Sequence, residues 1–169
     1  MGTGILETPR RLARSDIRNS FRSGAEELDD WLHRFAWQNQ KADNAVTYVT
    51  VQDGQILGYY ALATACIVKT HAPASIAKQA PREIPCVLLA RLAVDRRAQG
   101  LGIGAALLKD AMLRTLQISE IAGARALLIH CRDETAKSFY LANGNFSVSP
   151  VDDMQLLLSM KAIANSPRR

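Results

Sequence analysis

The chain has 169 residues, 48% of them apolar and 22% charged, with a formal net charge of +5 at pH 7. Those are ordinary values for a soluble globular protein, and the length suits one domain with a full hydrophobic core. No apolar run approaches the ~18 residues of a membrane span, the N-terminal MGTGILETPRR lacks a secretory h-region, and Cys66, Cys86 and Cys131 form neither a disulfide frame nor a metal-ligand pattern.

Residues 1–20 read as a loosely ordered lead-in. Ser23-Gly24 punctuates it, and a helix follows through Glu26, Leu28, Trp31, Leu32, Phe35 and Ala36, with acidic residues in its first turn. Trp31, Leu32 and Phe35 are expected in the core, and His33, off that stripe, is expected to be exposed. Ala45–Gln52 and Ile56 to about Val68 read as strands around an Asp53-Gly54 turn, a hairpin signal. Residues 70–85 contain Pro73, Pro81 and Pro85, which predicts a loop with a short helix about Ser75–Gln79. That loop enters the central strand and is expected to border the substrate site.

The stretch Val87–Leu108 organises the rest. An apolar strand ends at the polar residues Asp95–Gln99, three glycines follow at Gly100, Gly102 and Gly104, and a helical pattern begins at Ile103. A strand, a glycine-rich turn and a helix together make a place where main-chain N–H groups close on an anion. A nucleoside-triphosphate loop is excluded, because Ala105 stands where Lys should. Gly100-Leu101-Gly102-Ile103-Gly104-Ala105 satisfies a dinucleotide fingerprint, but too little chain follows, and no acidic residue ends the next strand, Leu127–His130. A turn that binds nothing is disfavoured, since three glycines weaken a helix start.

The helix is expected to run to about Ser119, with Gly123 beyond it. Ala126–His130 reads as a buried strand and Glu134–Asn143 as a helix, with Ala136, Phe139 and Tyr140 on one side and Gly144 as its stop. Phe146–Val148 and Met154–Met160 are the last strands, and 162–169 reads as a loose tail. Strands first, then alternating strands and helices, give an α/β fold with a mixed sheet. Arginine crowds the N-terminus (Arg10, Arg11, Arg14, Arg18, Arg22), Arg96 and Arg97 precede the glycines, and Arg168 and Arg169 close the chain. Charge alone leaves two readings open: a solvated surface, or a polyanion such as RNA or DNA.

Gln99-x-x-Gly102-x-Gly104 resembles the signature of the GNAT superfamily of N-acetyltransferases. The resemblance implies a single-domain GNAT fold, a mixed central sheet with splayed central strands flanked by helices. It implies that acetyl-CoA is the cosubstrate, with its pantetheine on the main chain of Leu92, Ala93 and Val94. Its pyrophosphate would lie on Gln99, Gly100, Leu101, Gly102, Ile103 and Gly104. Lys137-Ser138-Phe139-Tyr140 is similar to the family segment whose Tyr protonates the CoA sulfur, which makes Tyr140 the catalytic candidate; the alternative is a helix Tyr with its ring in the core. No metal is implied. Glu83, Asp133 and Glu134 are the weak candidates for a general base, each as easily a surface charge or cap, and His130 reads as structural. An α-amine, with a reference pKa of ~7.7–8.0, needs less help than a lysine.

A wider set resembles the TacT/AtaT/KacT group of toxins: Phe21-Arg22-Ser23-Gly24, Leu28-Asp29-Asp30-Trp31-Leu32, Asn39-Gln40, Tyr60-Ala61-Leu62-Ala63, Ile84-Pro85 and Leu89–Asp95. It spans roughly residues 21–160. The group's activity implies acetylation of the α-amine of aminoacyl-tRNA, block of translation, a cytoplasmic location, a homodimer, no membrane, and a cognate ribbon-helix-helix antitoxin. Lys69, Arg82, Arg96 and Arg97 are then candidate tRNA contacts. Arg91, among apolar neighbours, is either a paired structural charge or faces the tRNA end. This chain departs from the group at Gly144-Asn145-Phe146, where Gly-Phe is usual, and the extra residue has to move the following strand or form a bulge. Other readings are acetylation of a small-molecule amine or a protein N-terminus, and a noncatalytic CoA-binding partner module.

Overall fold

In the computed structural model, which describes residues 4–166, the hairpin forms at the Asp-Gly signal. Strands β2 (Val46–Gln52) and β3 (Gln55–Val68) pair antiparallel around Asp53 and Gly54, whose φ values are 51° and 74°. Positive φ at both positions matches the twist of the flanking strands. Within the described residues the lead-in is not loose. Strand β1 (Arg10–Arg11) pairs antiparallel with β2, Leu12 N–H donates to Thr47 O at 2.8 Å, and Leu12 and Phe21 are buried. Without this segment β2 would present unpaired backbone as an edge. Arg10 grips Asp16 with two bonds of 2.9 Å, and Asp16 accepts from Ala13 N–H, which fixes the turn that follows.

The chain packs as two compact units, Met1–Ala63 with Ala90–Ala111, and Thr64–Leu89 with Met112–Arg169. In the first, Leu12, Phe21, Leu32, Val49, Ile56 and Tyr59 belong to one core cluster. The predicted helix there has three parts: α1 (Glu26–Asp30), a π-helical turn (Trp31–Phe35) and α2 (Ala36–Lys41). The wider π turn breaks the 3.6-residue stripe. Leu32 and Ala36 are fully buried, but Phe35, expected in the core, is 40% exposed. His33, expected to be exposed, is half-buried, with Nε2 2.9 Å from Phe21 O.

In the second unit, Ile67, Ile76, Ile84, Ala126, Leu128 and Leu157 belong to a core cluster of their own. Strand β4 (Glu83–Val94) pairs in parallel with β5 (Ala126–His130) over Cys86–Leu88. β5 pairs antiparallel with β7 (Gln155–Ser159), and β7 with β6 (Ser147–Val148). The seven-stranded order is β1-β2-β3-β4-β5-β7-β6, a mixed sheet. The short helix α3 spans Ala74–Ala77, and Gln79, at φ 60°, cannot extend it. Helix α4 (Ile103–Ala122) runs one turn past the expected end, α5 (Glu134–Asn143) lies where it was predicted, and α6 (Met160–Ala164) occupies the start of the expected tail. Ser159 caps α6 through Ala162 N–H at 3.1 Å, and Ile163 is buried, so residues 162–164 are ordered. Arg168 and Arg169 lie outside the described residues.

Candidate active site

At the bend, Gly100 and Gly102 have φ of 81° and 82°, a left-handed conformation that glycine adopts without strain. A Cβ at either position would meet nothing within 4 Å, so the main chain is approachable there. α4 begins at Ile103, and Ala106 N–H is the donor that reaches back to Gly102 O, at 3.1 Å. The N–H groups ahead of it are the ones a helix start leaves without intrahelical partners. Open glycines followed by these donors and the positive end of the helix dipole make an anion cradle.

The approach to the bend is tightly held. Gln99 donates from Nε2 to Ser23 O at 2.7 Å and to Val94 O at 3.0 Å, so its side chain clamps the turn rather than reaching outward. In the sequence Asp95 figures only as part of the stretches Asp95–Gln99 and Leu89–Asp95, with no role of its own. It is 1% exposed and accepts from Arg97 N–H, the Arg97 guanidinium and Arg22 N–H. Burial alone would raise its pKa; the Arg97 guanidinium and the two backbone donors outweigh that and hold it below the usual carboxylate value. An Asp at the mouth of a turn with its own i+2 N–H in reach was the available signal.

Leu92, Ala93 and Val94 lie at the end of β4. Asp95 N–H donates to Leu57 O on β3 at 2.8 Å. Strand alternation therefore turns the backbone of Ala93 toward β3 and that of Leu92 and Val94 the other way. The parallel pairing with β5 ends at Leu88↔Leu128, six residues before β4 does. Two strand residues thus have backbone groups directed away from β3, beyond the end of the paired ladder.

Of the cationic candidates, Arg91 stacks its guanidinium 4.6 Å from the Trp31 ring centroid, the structural option, with an aromatic face in place of a carboxylate. Arg97 is spent on Asp95. Arg96 is exposed and lies along Gly24, its guanidinium 3.4–3.5 Å from where a Cβ would be. Gly24 itself has φ 101°, a left-handed conformation that favours glycine. Those three belong to the first unit. Lys69 and Arg82 belong to the second, joined by Lys69 N–H to Arg82 O at 2.9 Å. Arg82 lines a cavity of about 660 Å³ with Val68, Pro81 and Glu83.

Tyr140, also in the second unit, sits on α5 and is 7% exposed. Its ring is edge-on to Phe139 and Phe146, at 5.3 and 6.2 Å between centroids. Burial pushes the phenol above its ordinary value, and Cys131 adds to this, so it holds its proton throughout the physiological range. Asn145 is taken up in the turn before β6, whose register on β7 is regular, and Phe146 folds back onto Gly144. The base candidates offer little. Asp133 caps α5 through Ala136 N–H at 2.8 Å, Glu83 and Glu134 are exposed, and His130 is exposed beside Gln155.

A family model described as an acetyltransferase (GNAT) domain matches residues 43–144. The chain is 40% identical over 153 residues to the "tRNA-acetylating toxin" of Mycobacterium tuberculosis (strain ATCC 25618 / H37Rv), covering 90% of this chain and 92% of that one. It is similar to the solved structure of AtaT complexed with acetyl-methionyl-tRNAfMet, with a TM-score of 0.86, 29% identity, and 93% and 96% of the two chains covered. It is similar too to a mutant AtaT toxin bound to the C-terminus of the antitoxin AtaR and acetyl-CoA, with a TM-score of 0.78, 26% identity, and 92% and 94% covered.

Proposed function

The chain belongs to the GNAT acetyltransferase family, and from that premise we propose that it is a toxin that acetylates the α-amine of aminoacyl-tRNA and so blocks translation. The observation that carries this reading is its identity, across nearly the whole of both chains, with a relative named for acetylating tRNA. The whole chain acts as one domain. It works as a homodimer in the cytoplasm and is restrained by a cognate antitoxin with a ribbon-helix-helix domain. The AtaT relative bound to AtaR supports the antitoxin. Among the described residues no helix is long and apolar enough to cross a membrane.

The residues at the bend fit acetyl-CoA, since open glycines and a helix start suit a diphosphate. Acetyl-CoA, when bound, supplies an acetyl thioester. Main-chain groups from Gln99, Gly100, Leu101, Gly102, Ile103 and Gly104 hold its diphosphate, and those of Leu92 and Val94 hold its pantetheine arm, while Ala93 between them turns its backbone toward β3. A backbone N–H of this strand polarises the carbonyl oxygen. Tyr140 keeps a proton on Oη for the departing sulfur. No residue has to act as a strong base, because an α-amine with a pKa of ~7.7–8.0 is partly free at neutral pH. Lys69, Arg82 and Arg96 contact the tRNA; Arg91, stacked on Trp31, supports the strand instead.

Labelled acetyl-CoA offered with charged tRNA, polyamines and peptides tests the acceptor. Label is expected on charged tRNA and not on the same tRNA after deacylation. Label on polyamines or peptides alone would overturn the assignment, and no turnover with any acceptor would favour a noncatalytic CoA-binding module.

A further inference from the structure

We propose that Asp95 and Arg97 are a positioning pair that aims the coenzyme loop, and that Arg97 takes no part in holding tRNA. This rests on the acetyl-CoA reading of the bend. The bend acts through main-chain N–H groups, so its aim depends on what holds the turn that delivers it, and the Gln99 amide on Ser23 O and Val94 O secures only the near end of that turn. Its direction is set one turn earlier, at Asp95.

Both carboxylate oxygens of Asp95 are committed. Oδ1 accepts from Arg97 N–H at 2.9 Å and Arg97 Nε at 2.8 Å, and Oδ2 accepts from Arg97 Nη2 at 3.1 Å and Arg22 N–H at 3.0 Å. The backbone is committed as well. Asp95 N–H bonds Leu57 O at 2.8 Å, Ala98 N–H bonds Asp95 O at 2.9 Å, and Arg96 N–H bonds Arg22 O at 2.7 Å. One residue thus ties the end of β4 to β3, to the segment before α1 and to the turn that becomes the bend.

A carboxylate whose side chain is 2% exposed is stable there only if its charge is answered. Arg97 answers it with a two-point fork, the geometry that guanidinium has and ammonium lacks. Arg97 is 47% exposed, as a surface cation available to a polyanion would be. Its polar edge is in use at the coenzyme loop.

Calorimetric titration with CoA, and separately with deacylated tRNA, distinguishes the roles. Arg97→Gln and Arg97→Lys are each expected to weaken CoA binding about fivefold, and Asp95→Asn about tenfold, with tRNA binding within about twofold of wild type. The double variant Asp95→Asn/Arg97→Gln is expected to be no weaker than Asp95→Asn alone by more than about twofold, because both changes remove one interaction. Should Asp95→Asn fail to fold, the exposed Arg97 variants decide alone. Weakened tRNA binding with CoA binding intact in Arg97→Gln, or full CoA binding in Arg97→Lys, would overturn the pair. So would additive losses. A wild type that binds no CoA removes the acetyl-CoA reading itself, whereas intact CoA binding in the variants removes only this one.

Discussion

A phenol that is to give up a proton must first be kept from losing it to solvent. Tyr140 meets that condition, since burial raises its pKa and no cation among its described contacts draws it down. Replacing it with Phe keeps the ring against Phe139 and Phe146 and removes only Oη. A drop in kcat of about 10²–10³ is expected, with KM for acetyl-CoA and the melting temperature little changed. The sign of the shift fixes the pH profile. A raised phenol pKa leaves the acid form intact across the working range, so kcat/KM is expected to rise through about pH 8 as the α-amine loses its proton, then stay level to about pH 10. An alkaline fall below that point, abolished in Tyr140→Phe, would mean the phenol is not held up by its surroundings.

Elements of the second unit keep this Tyr in place. Gly144 ends α5 in an extended conformation, so any residue suits its backbone, but space does not allow one. A Cβ there would lie 2.5 Å from Phe146 Cε2 and 2.9 Å from Met112 Cε. Gly144→Ala is expected to cost about 1–3 kcal/mol of stability in urea unfolding, as overpacking does, and to lower kcat because Phe146 presses on Tyr140. The elements themselves were largely legible. The Asp53-Gly54 hairpin, the strand–glycine–helix order and the helix Glu134–Asn143 each follow from local chemistry that tertiary contacts reinforce. The lead-in was not legible, because its order comes from β2, a partner far along the chain. Nor was the π turn, which exposed Phe35 and buried part of His33. At the site, glycines and Tyr140 carry motifs, while Asp95 showed only a local turn signal, and its bond from Arg22 N–H reaches across 73 residues that no local pattern records.

For the whole molecule, the net charge of +5 left RNA and an ordinary solvated surface equally open; the tRNA-acetylating relative is what favours RNA. If the surface does meet tRNA, binding is expected to weaken with salt, log K falling linearly against log salt concentration, and the slope to shrink by about 0.7–0.9 when Arg96 or Lys69 is neutralised. An unchanged slope would return those cations to the solvated surface. The central claim concerns where the acetyl group goes, and one measurement reads it directly. Charged tRNA is incubated with the enzyme and acetyl-CoA, its aminoacyl ester is cleaved with mild base, and the released amino acid is weighed by mass spectrometry. The expected result is an amino acid heavier by one acetyl group on its α-nitrogen, absent when Tyr140→Phe is assayed for the same short time. An unmodified amino acid, with acetyl found on the RNA or on nothing, would contradict the account.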